Sequence, residues 1–213
     1  ALPISGSGTA ISGGTLNVSS GGSLAYVTAW NGGVLNVSAG GTAHNITVSS
    51  GVTMNVAGTI TSNTYVTDTG VENVLSGGLI SGVTSSGTGV ASGGILNVSA
   101  GGSAVHIGVS SGGTFNVAGQ VLSNTAVYSG GIENVLSGGL ISGSGGTFTG
   151  DYGTLNLQAG GSATRFDVFS GGIANVAGSA GSIGVWGGTV ELQVGGSAGE
   201  FDFSGPGVSG GTG

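Results

Sequence analysis

Short runs of alternating apolar and polar residues recur along the whole chain, and glycine pairs separate one run from the next. Residues 46–48, 107–109 and 166–168 each place two apolar side chains around one residue of another kind. This period of two predicts β-strands, and the bordering SGG, AGG and NGG tripeptides predict turns. No segment shows the 3.6-residue apolar period of a helix. The pattern therefore predicts an all-β protein.

A unit of roughly 19 residues, written GG-x-x-N-V-x-x-GG-x-A-x-x-x-V-x-S, repeats through the chain. Nine copies carry an asparagine at the same place: Asn17, Asn36, Asn55, Asn73, Asn97, Asn116, Asn134, Asn156 and Asn175. Glu191 takes that place in a tenth copy, and the next residue is Val or Leu in all ten. The stretch ENVLSGGLISG occurs twice, at 72–82 and 133–143, and marks equivalent positions in the fourth and seventh copies.

Repeats of this length predict a parallel β-helix (β-solenoid) of about ten coils, each with three short strands. Successive coils lie about 4.8 Å apart, which gives a rod roughly 48 Å long. The predicted organisation is a lead-in over 1–10, one solenoid over 11–204 and a glycine-rich tail over 205–213. The two longest copies carry extra residues at 83–91 and 144–153, and these are predicted to be loops on one side of the rod.

The asparagine column has two candidate orientations. The Val or Leu after it is predicted to face the core, so strict alternation turns the asparagine outward and the preceding residue inward. Two of those preceding residues are Glu72 and Glu133, which are costly to bury. A bulge or corner would instead turn the asparagines inward. Inward asparagines would form a buried ladder whose amides bond along the stack. We expect the column to be a structural amide ladder that stabilises coil stacking, with a ligand-binding stripe as the alternative.

Composition narrows the range of partners. The 213 residues include 52 glycines and only 4% charged residues, and the net charge is −7. A surface that binds nucleic acid needs clustered Lys and Arg, and this chain has the single cation Arg165. The absence of cysteine excludes disulfides and thiolate metal sites. We therefore expect no nucleic-acid partner, no membrane insertion by this segment, no cofactor and no metal.

The acidic residues do not predict an active site. Glu72 and Glu133 share a column but lie three coils apart, roughly 14 Å by the strand spacing, whereas glycosidase carboxylates lie ~5–9.5 Å apart.

Four charged residues near the C-terminal end align across two coils: Arg165, Asp167, Glu200 and Asp202. Because these residues alternate with Phe166 and Phe201, which are predicted to be in the core, we expect them to form a solvated patch. Catalytic motifs are absent, and no enzymatic activity is expected.

Four aromatic residues each stand one or two positions before a glycine pair: Trp30, Tyr128, Phe169 and Trp186. They are predicted to share one corner of the rod. Exposed rings there would stack on sugars or on another rod, and the same rings would equally serve to cover the corner of the core. Together with the charged patch they form the candidate contact surface.

Copies such as SGGILNVSAGGSAVHIGVSSGG and SGGIENVLSGGLISG resemble the AIDA-type repeats in passenger domains of self-associating bacterial autotransporter adhesins. The resemblance covers about residues 11–204. It implies a right-handed parallel β-helix at the bacterial cell surface or outside the cell, with a role in adhesion, aggregation or biofilm. The implied partners are further copies of the chain, side by side or end to end, or a host or bacterial surface. Some members of this family are O-glycosylated.

The favoured function is therefore that of a structural and adhesive surface protein that self-associates through its repeats. The alternative is a glycan-binding or polysaccharide-processing β-helix, which would use the aromatic column and the charged patch. Ice binding is a third hypothesis, but no regular Thr-x-Thr column supports it.

Overall fold

The structure, a computed structural model, describes residues 5–7, 10–82, 87–123, 125–142 and 150–203. Every regular element in these ranges is a β-strand, and none of the described residues is helical. No helix of the length and hydrophobicity needed to cross a membrane occurs in the described part of the chain. The prediction of an all-β parallel solenoid is confirmed.

The strands follow one another in chain order as β1 (Ser5–Ser7), β2 (Ala10–Ser12), β3 (Thr15–Val18), β4 (Ser23–Trp30), β5 (Val34–Val37), β6 (Thr42–Val48), β7 (Thr53–Val56), β8 (Thr59–Val66), β9 (Val71–Val74), β10 (Leu79–Ser81), β11 (Thr88–Val90), β12 (Ile95–Val98), β13 (Ser103–Val105), β14 (Ile107–Val109), β15 (Thr114–Val117), β16 (Gln120–Val121), β17 (Thr125–Val127), β18 (Ile132–Val135), β19 (Leu140–Ile141), β20 (Gly150–Asp151), β21 (Thr154–Leu157), β22 (Ser162–Phe169), β23 (Ile173–Val176), β24 (Ser179–Trp186), β25 (Thr189–Leu192) and β26 (Ser197–Asp202).

Two sheets contain all of these strands. The asparagine sheet has ten strands in the order β3-β5-β7-β9-β12-β15-β18-β21-β23-β25, and each is four residues long and parallel to its neighbours. The long sheet has sixteen strands, which also pair in parallel. The chain passes through the asparagine sheet and then the long sheet in every coil, so each coil stacks on the one before it.

The long sheet differs from the prediction of three strands in every coil. Strands β4, β6, β8, β22 and β24 each cross it without interruption over seven or eight residues. The central coils divide this side into two short strands, as in β10 and β11, and β1 and β2 likewise pair separately with β4. A residue with positive φ bends this side of the coil in both arrangements. Tyr26 and Asn45, each at 54°, lie inside the continuous strands β4 and β6, whereas His106, at 55°, lies between the short strands β13 and β14.

The glycine pairs at the corners have two separate roles, which Gly77 and Gly78 illustrate. Gly77 has a φ of +80°, a conformation that residues with a Cβ rarely adopt. Gly78 lies so close to the previous coil that a Cβ on it would overlap the carbonyl oxygen of Val56. The first glycine therefore makes the turn, and the second lets adjacent coils stack closely.

The interior confirms the predicted hydrophobic column. The residue after each asparagine is at most 1% exposed: Val18, Val37, Val56, Val74, Val98, Val117, Val135, Leu157 and Val176. The tenth member, Leu192, is 52% exposed. Its strand β25 is the last in the asparagine sheet and has no described strand on its outer side.

The predicted loops at 83–91 and 144–153 are partly wrong. Within the first segment, β11 pairs in parallel with β8 and β14. Within the second, β20 pairs with β17 and β22. Both strands continue the long sheet because their backbone groups complete its hydrogen-bonded ladder. Residues 83–86 and 144–149 lie outside the described residues.

Candidate functional site

The nine asparagines form one continuous ladder on the outside of the asparagine sheet. From Asn36 onward, each Nδ2 donates a hydrogen bond to Oδ1 of the asparagine in the previous coil, at 2.8 to 3.0 Å. Each amide inside the ladder thus uses one N–H and one oxygen lone pair on its neighbours. A second N–H and a second lone pair remain for solvent or a partner.

The orientation of the ladder follows strict alternation, without the bulge that the sequence also allowed. In β9, for example, Glu72 and Val74 are buried, whereas Val71 and Asn73 are half-buried on the opposite face. The asparagines therefore point outward. They bond to one another because equivalent residues of neighbouring coils lie directly beside each other.

Truncating an amide in the middle of the ladder is expected to destabilise the rod measurably. Asn116 donates to Asn97 and accepts from Asn134, so Asn116→Ala removes two hydrogen bonds. At about 1 kcal/mol for each bond, the free energy of unfolding should fall by about 2 kcal/mol. Asn17→Ala, at the exposed end, removes one bond and should cost less. Denaturant unfolding of both variants checks the order; a loss for Asn116→Ala no larger than that for Asn17→Ala would contradict a contribution from each bond of the ladder.

Glu72 and Glu133 lie inside the rod, and both are 0% exposed. Burial raises the pKa of Glu72 to about 8, since the interior disfavours the charged carboxylate. Strands β12 and β15 separate the two glutamate strands in the asparagine sheet. Neither carboxyl can reach a polymer substrate outside the rod, and they are too far apart to act as a pair.

A second outward column runs beside the asparagines, two positions before them, and the sequence prediction did not use it. All ten members are β-branched: Thr15, Val34, Thr53, Val71, Ile95, Thr114, Ile132, Thr154, Ile173 and Thr189. Equivalent members are paired across neighbouring strands, as Ile95 is with Thr114. The outer face of the asparagine sheet thus carries amides and β-branched side chains, and its first charged residue is Glu191 in the last strand. The sequence does show this column, since every copy of the repeat has Thr, Val or Ile two positions before the asparagine position.

Three of the four predicted aromatic residues stack on one another at a corner of the rod. The stack also includes Tyr152, which lies in the segment 144–153 predicted to be a loop. Ring centroids are 6.4 Å apart from Tyr128 to Tyr152, 4.9 Å from Tyr152 to Phe169 and 6.4 Å from Phe169 to Trp186. The planes are inclined by only 6°, 15° and 18°. Because the rings face each other along the rod, the inner rings turn their edges, not their faces, toward a partner.

Trp30 belongs to the same column but not to the stack. The pairings of Thr28 with Ala10 and of Ala29 with Val48 place it at the corner of an early coil. The coils between it and Tyr128 carry small residues at this position: Ser49, Thr67, Ala91 and Ser110. One contact surface containing all four predicted rings is therefore not formed.

The charged patch has the predicted alignment. Arg165 pairs with Ser182, which pairs with Glu200, and Asp167 follows the same path through Gly184 to Asp202. Arg165 and Glu200 are exposed, and Asp202 is half-buried.

The prediction that Asp167 is solvated is wrong, since this residue is only 4% exposed. The indole Nε1 of Trp186 donates to its Oδ1 at 3.4 Å, and Gly184 beside it has no side chain to displace the carboxylate. Burial raises the pKa of Asp167, while the Trp186 hydrogen bond and the charge of Arg165 oppose that rise. Alternation predicted an outward carboxylate correctly, but not the tryptophan from the next coil that covers it.

The core assignment of Phe201 is also wrong. Its ring is 38% exposed and stacks on Phe203 at 5.7 Å. Phe166, in the same column, is 0% exposed. The difference arises because Phe201 lies on β26, at the edge of the long sheet, where β24 is its only strand partner among the described residues.

No group of three or more His, Cys, Asp or Glu side chains placed to hold a metal ion occurs among the residues that the structure describes. His44 packs edge-on against the Tyr26 ring at 5.8 Å. His106 Nδ1 lies 2.6 Å from the carbonyl oxygen of Gly82. Both histidines therefore have structural contacts.

Similarity to known proteins is found among solved structures. No family model matches the sequence, and no curated protein matches it. One of those solved structures is a fragment of TibA whose hyper-glycosylation was catalysed by TibC. Its sequence identity to this chain is 24%, the TM-score is 0.48, and the match covers 95% of each chain. The β-solenoid fold of this chain rests on its own strand pairings.

Proposed function

We propose that this chain is a structural and adhesive protein of the bacterial cell surface, and that its rods associate side by side through the asparagine sheet. The observation that carries the proposal is the neutral outer face of that sheet, with asparagines in nine successive strands beside a column of β-branched residues. The resemblance of the repeats to those of self-associating adhesins supports the same function.

The chemistry of this face suits a second copy of the same face. Two such faces repeat at the same interval of about 4.8 Å, so contacts made by one coil recur at every coil. Isoleucine and valine side chains supply apolar area, and the amides supply unused donors and acceptors. No charge has to be stripped of water over the first nine strands. Weak contacts repeated in this way add up to a stable association.

The size of the face predicts weak pairing between two short rods. Nine strands at 4.8 Å make the face roughly 40 Å long, and four residues make it about 13 Å wide. A flat contact of that size covers on the order of 500 Å² per rod, below the about 800 Å² of a standard interface. Association should therefore depend strongly on protein concentration and grow tighter with the number of coils.

Sedimentation at two protein concentrations and at low and high salt tests the proposal. The average mass should rise with concentration and change little with salt, because screening acts only on charges. Thr114→Glu with Thr154→Glu places two like charges on the face, in its sixth and eighth strands, and should weaken association at least tenfold.

The matched control is Thr28→Glu with Thr61→Glu, which adds the same charge at exposed positions of the long sheet and should leave association intact. A wild-type monomer under every condition would contradict self-association. Equal association of both double variants would assign the contact to the ends of the rod or to another face.

A further inference from the structure

We propose that the interior of the rod contains a site for an ordered water molecule, formed by the carboxyl of Glu72 and the hydroxyls of Thr64 and Thr88. All three residues face the core, with exposures of 0%, 2% and 2%. None of their side-chain oxygens has a hydrogen-bond partner among the protein groups described. Buried oxygens of this kind are normally satisfied by protein or by ordered water.

The strand pairings bring the three side chains to one level of the rod. Gly89 pairs with Tyr65, which places Thr88 beside Thr64 in neighbouring strands of the long sheet. Between these two threonines the chain makes one turn and passes through Glu72 on the opposite sheet. The acid and both hydroxyls therefore enter the same stretch of interior from two sides.

The side chains in this column are smaller at this level than in the flanking coils. On either side of the two threonines the same column continues with Ile46 and Ile107. A threonine side chain is one carbon shorter than isoleucine, and two of them lie in adjacent coils. A buried water molecule needs a small space and two to four polar partners. The two threonines and the acid supply three such partners.

The hydrogen-bonding chemistry favours water over a cation. A protonated carboxyl donates one hydrogen bond and accepts others, and each threonine hydroxyl does both, so one water can satisfy all three groups. The raised pKa of Glu72, about 8, keeps its carboxyl mostly protonated at neutral pH. Hard cations such as calcium take about six to eight oxygen ligands, and the carbonyls of these strands are already used in the ladders.

A related combination occurs one 61-residue interval later in the sequence, where Glu133 and Thr125 correspond to Glu72 and Thr64. Glu133 is again fully buried, and the hydroxyls of Ser123 and Thr125 are buried without a hydrogen-bond partner. Among the described members of the threonine column, the other positions are apolar: Val27, Ile46, Ile107, Phe166, Ile183 and Phe201. Threonine enters this column only next to a buried glutamate, which indicates that the polar groups act together.

A high-resolution crystal structure at neutral pH tests the proposal on the wild-type chain. We expect a solvent peak within hydrogen-bond distance of the Glu72 carboxyl and of at least one of the two threonine hydroxyls. The coil interior between Leu96 and Ile107 should be dry in the same map. Overturning results are a dry interior at Glu72, a direct bond from Glu72 to a threonine, or a peak that becomes anomalous after soaking in rubidium and is therefore a cation.

A solution measurement supplies an independent test. Oxygen-17 magnetic relaxation dispersion counts water molecules with long residence times inside a protein. The variant Glu72→Leu, Thr64→Val, Thr88→Val should lose at least one such water relative to wild type. Leu96→Met, an apolar exchange in the next coil, should lose none. An unchanged count in a folded triple variant would contradict the site, and the crystal map decides the question if that variant does not fold.

Discussion

Val117→Asp is expected to abolish cooperative unfolding of the rod. Val117 is 0% exposed and lies between Val98 and Val135 in the inward column. An aspartate there would be enclosed by valines above and below, and burying an unpaired charge costs several kcal/mol or more. That is a large share of the about 5–15 kcal/mol that stabilises a typical domain. Each coil contacts mainly its two neighbours, so a disrupted central coil separates the rod into two weaker halves.

Circular dichroism during thermal and denaturant unfolding checks this result. Leu192→Asp is the matched control, because Leu192 occupies the same column but is 52% exposed in the last strand. This control should unfold much like the wild type. Wild-type-like melting of Val117→Asp would show that the assigned core register is wrong.

Stability is expected to fall as the pH rises from about 4.5 to about 8, because of Glu72. Its pKa is raised from 4.5 to about 8 in the folded protein, so the folded state holds a proton through this range that the unfolded state has released. Binding more protons in the folded state makes stability decrease with pH. A full shift of this size corresponds to a loss on the order of 5 kcal/mol. The stabilising contribution is therefore complete below pH 4.5 and lost above pH 8.

Glu72→Gln separates this effect from other titrations. Glutamine has nearly the same shape as the protonated glutamate but does not ionise, so the free energy of unfolding should lose the part of its slope that Glu72 contributes, while the equally buried Glu133 remains in both proteins. The measurement is denaturant unfolding at a series of pH values for both proteins. Parallel profiles for wild type and variant would contradict a buried, proton-binding Glu72.

Much of the fold could be predicted from the sequence because the repeat determines it locally. Period-two alternation gave the strands, and the constant aliphatic residue after each asparagine gave the inward column. The glycine pairs gave the corners. These features follow from contacts between equivalent residues of adjacent coils, and a regular repeat displays such contacts directly.

The features that the sequence did not predict depend on residues from different positions in neighbouring coils. Asp167 is buried because Trp186 covers it, and a single-coil pattern contains no information about that side chain. Tyr152 joins the aromatic stack only after β20 restores the register following an insertion. The orientation of the asparagines could not be decided because burial of Glu72 seemed too costly; protonation lowers that cost by removing the charge.

The contact between rods is tested most directly by a label placed on the asparagine sheet. The chain has no cysteine, so a single one can be introduced and spin-labelled without removing others. Ile132→Cys places the label on the outer face of the asparagine sheet, and Thr61→Cys places it on the long sheet. Electron–electron dipolar spectroscopy on the associated protein should show short distances between molecules for the Ile132 label alone. Short distances for the Thr61 label and none for the Ile132 label would contradict association through the asparagine sheet.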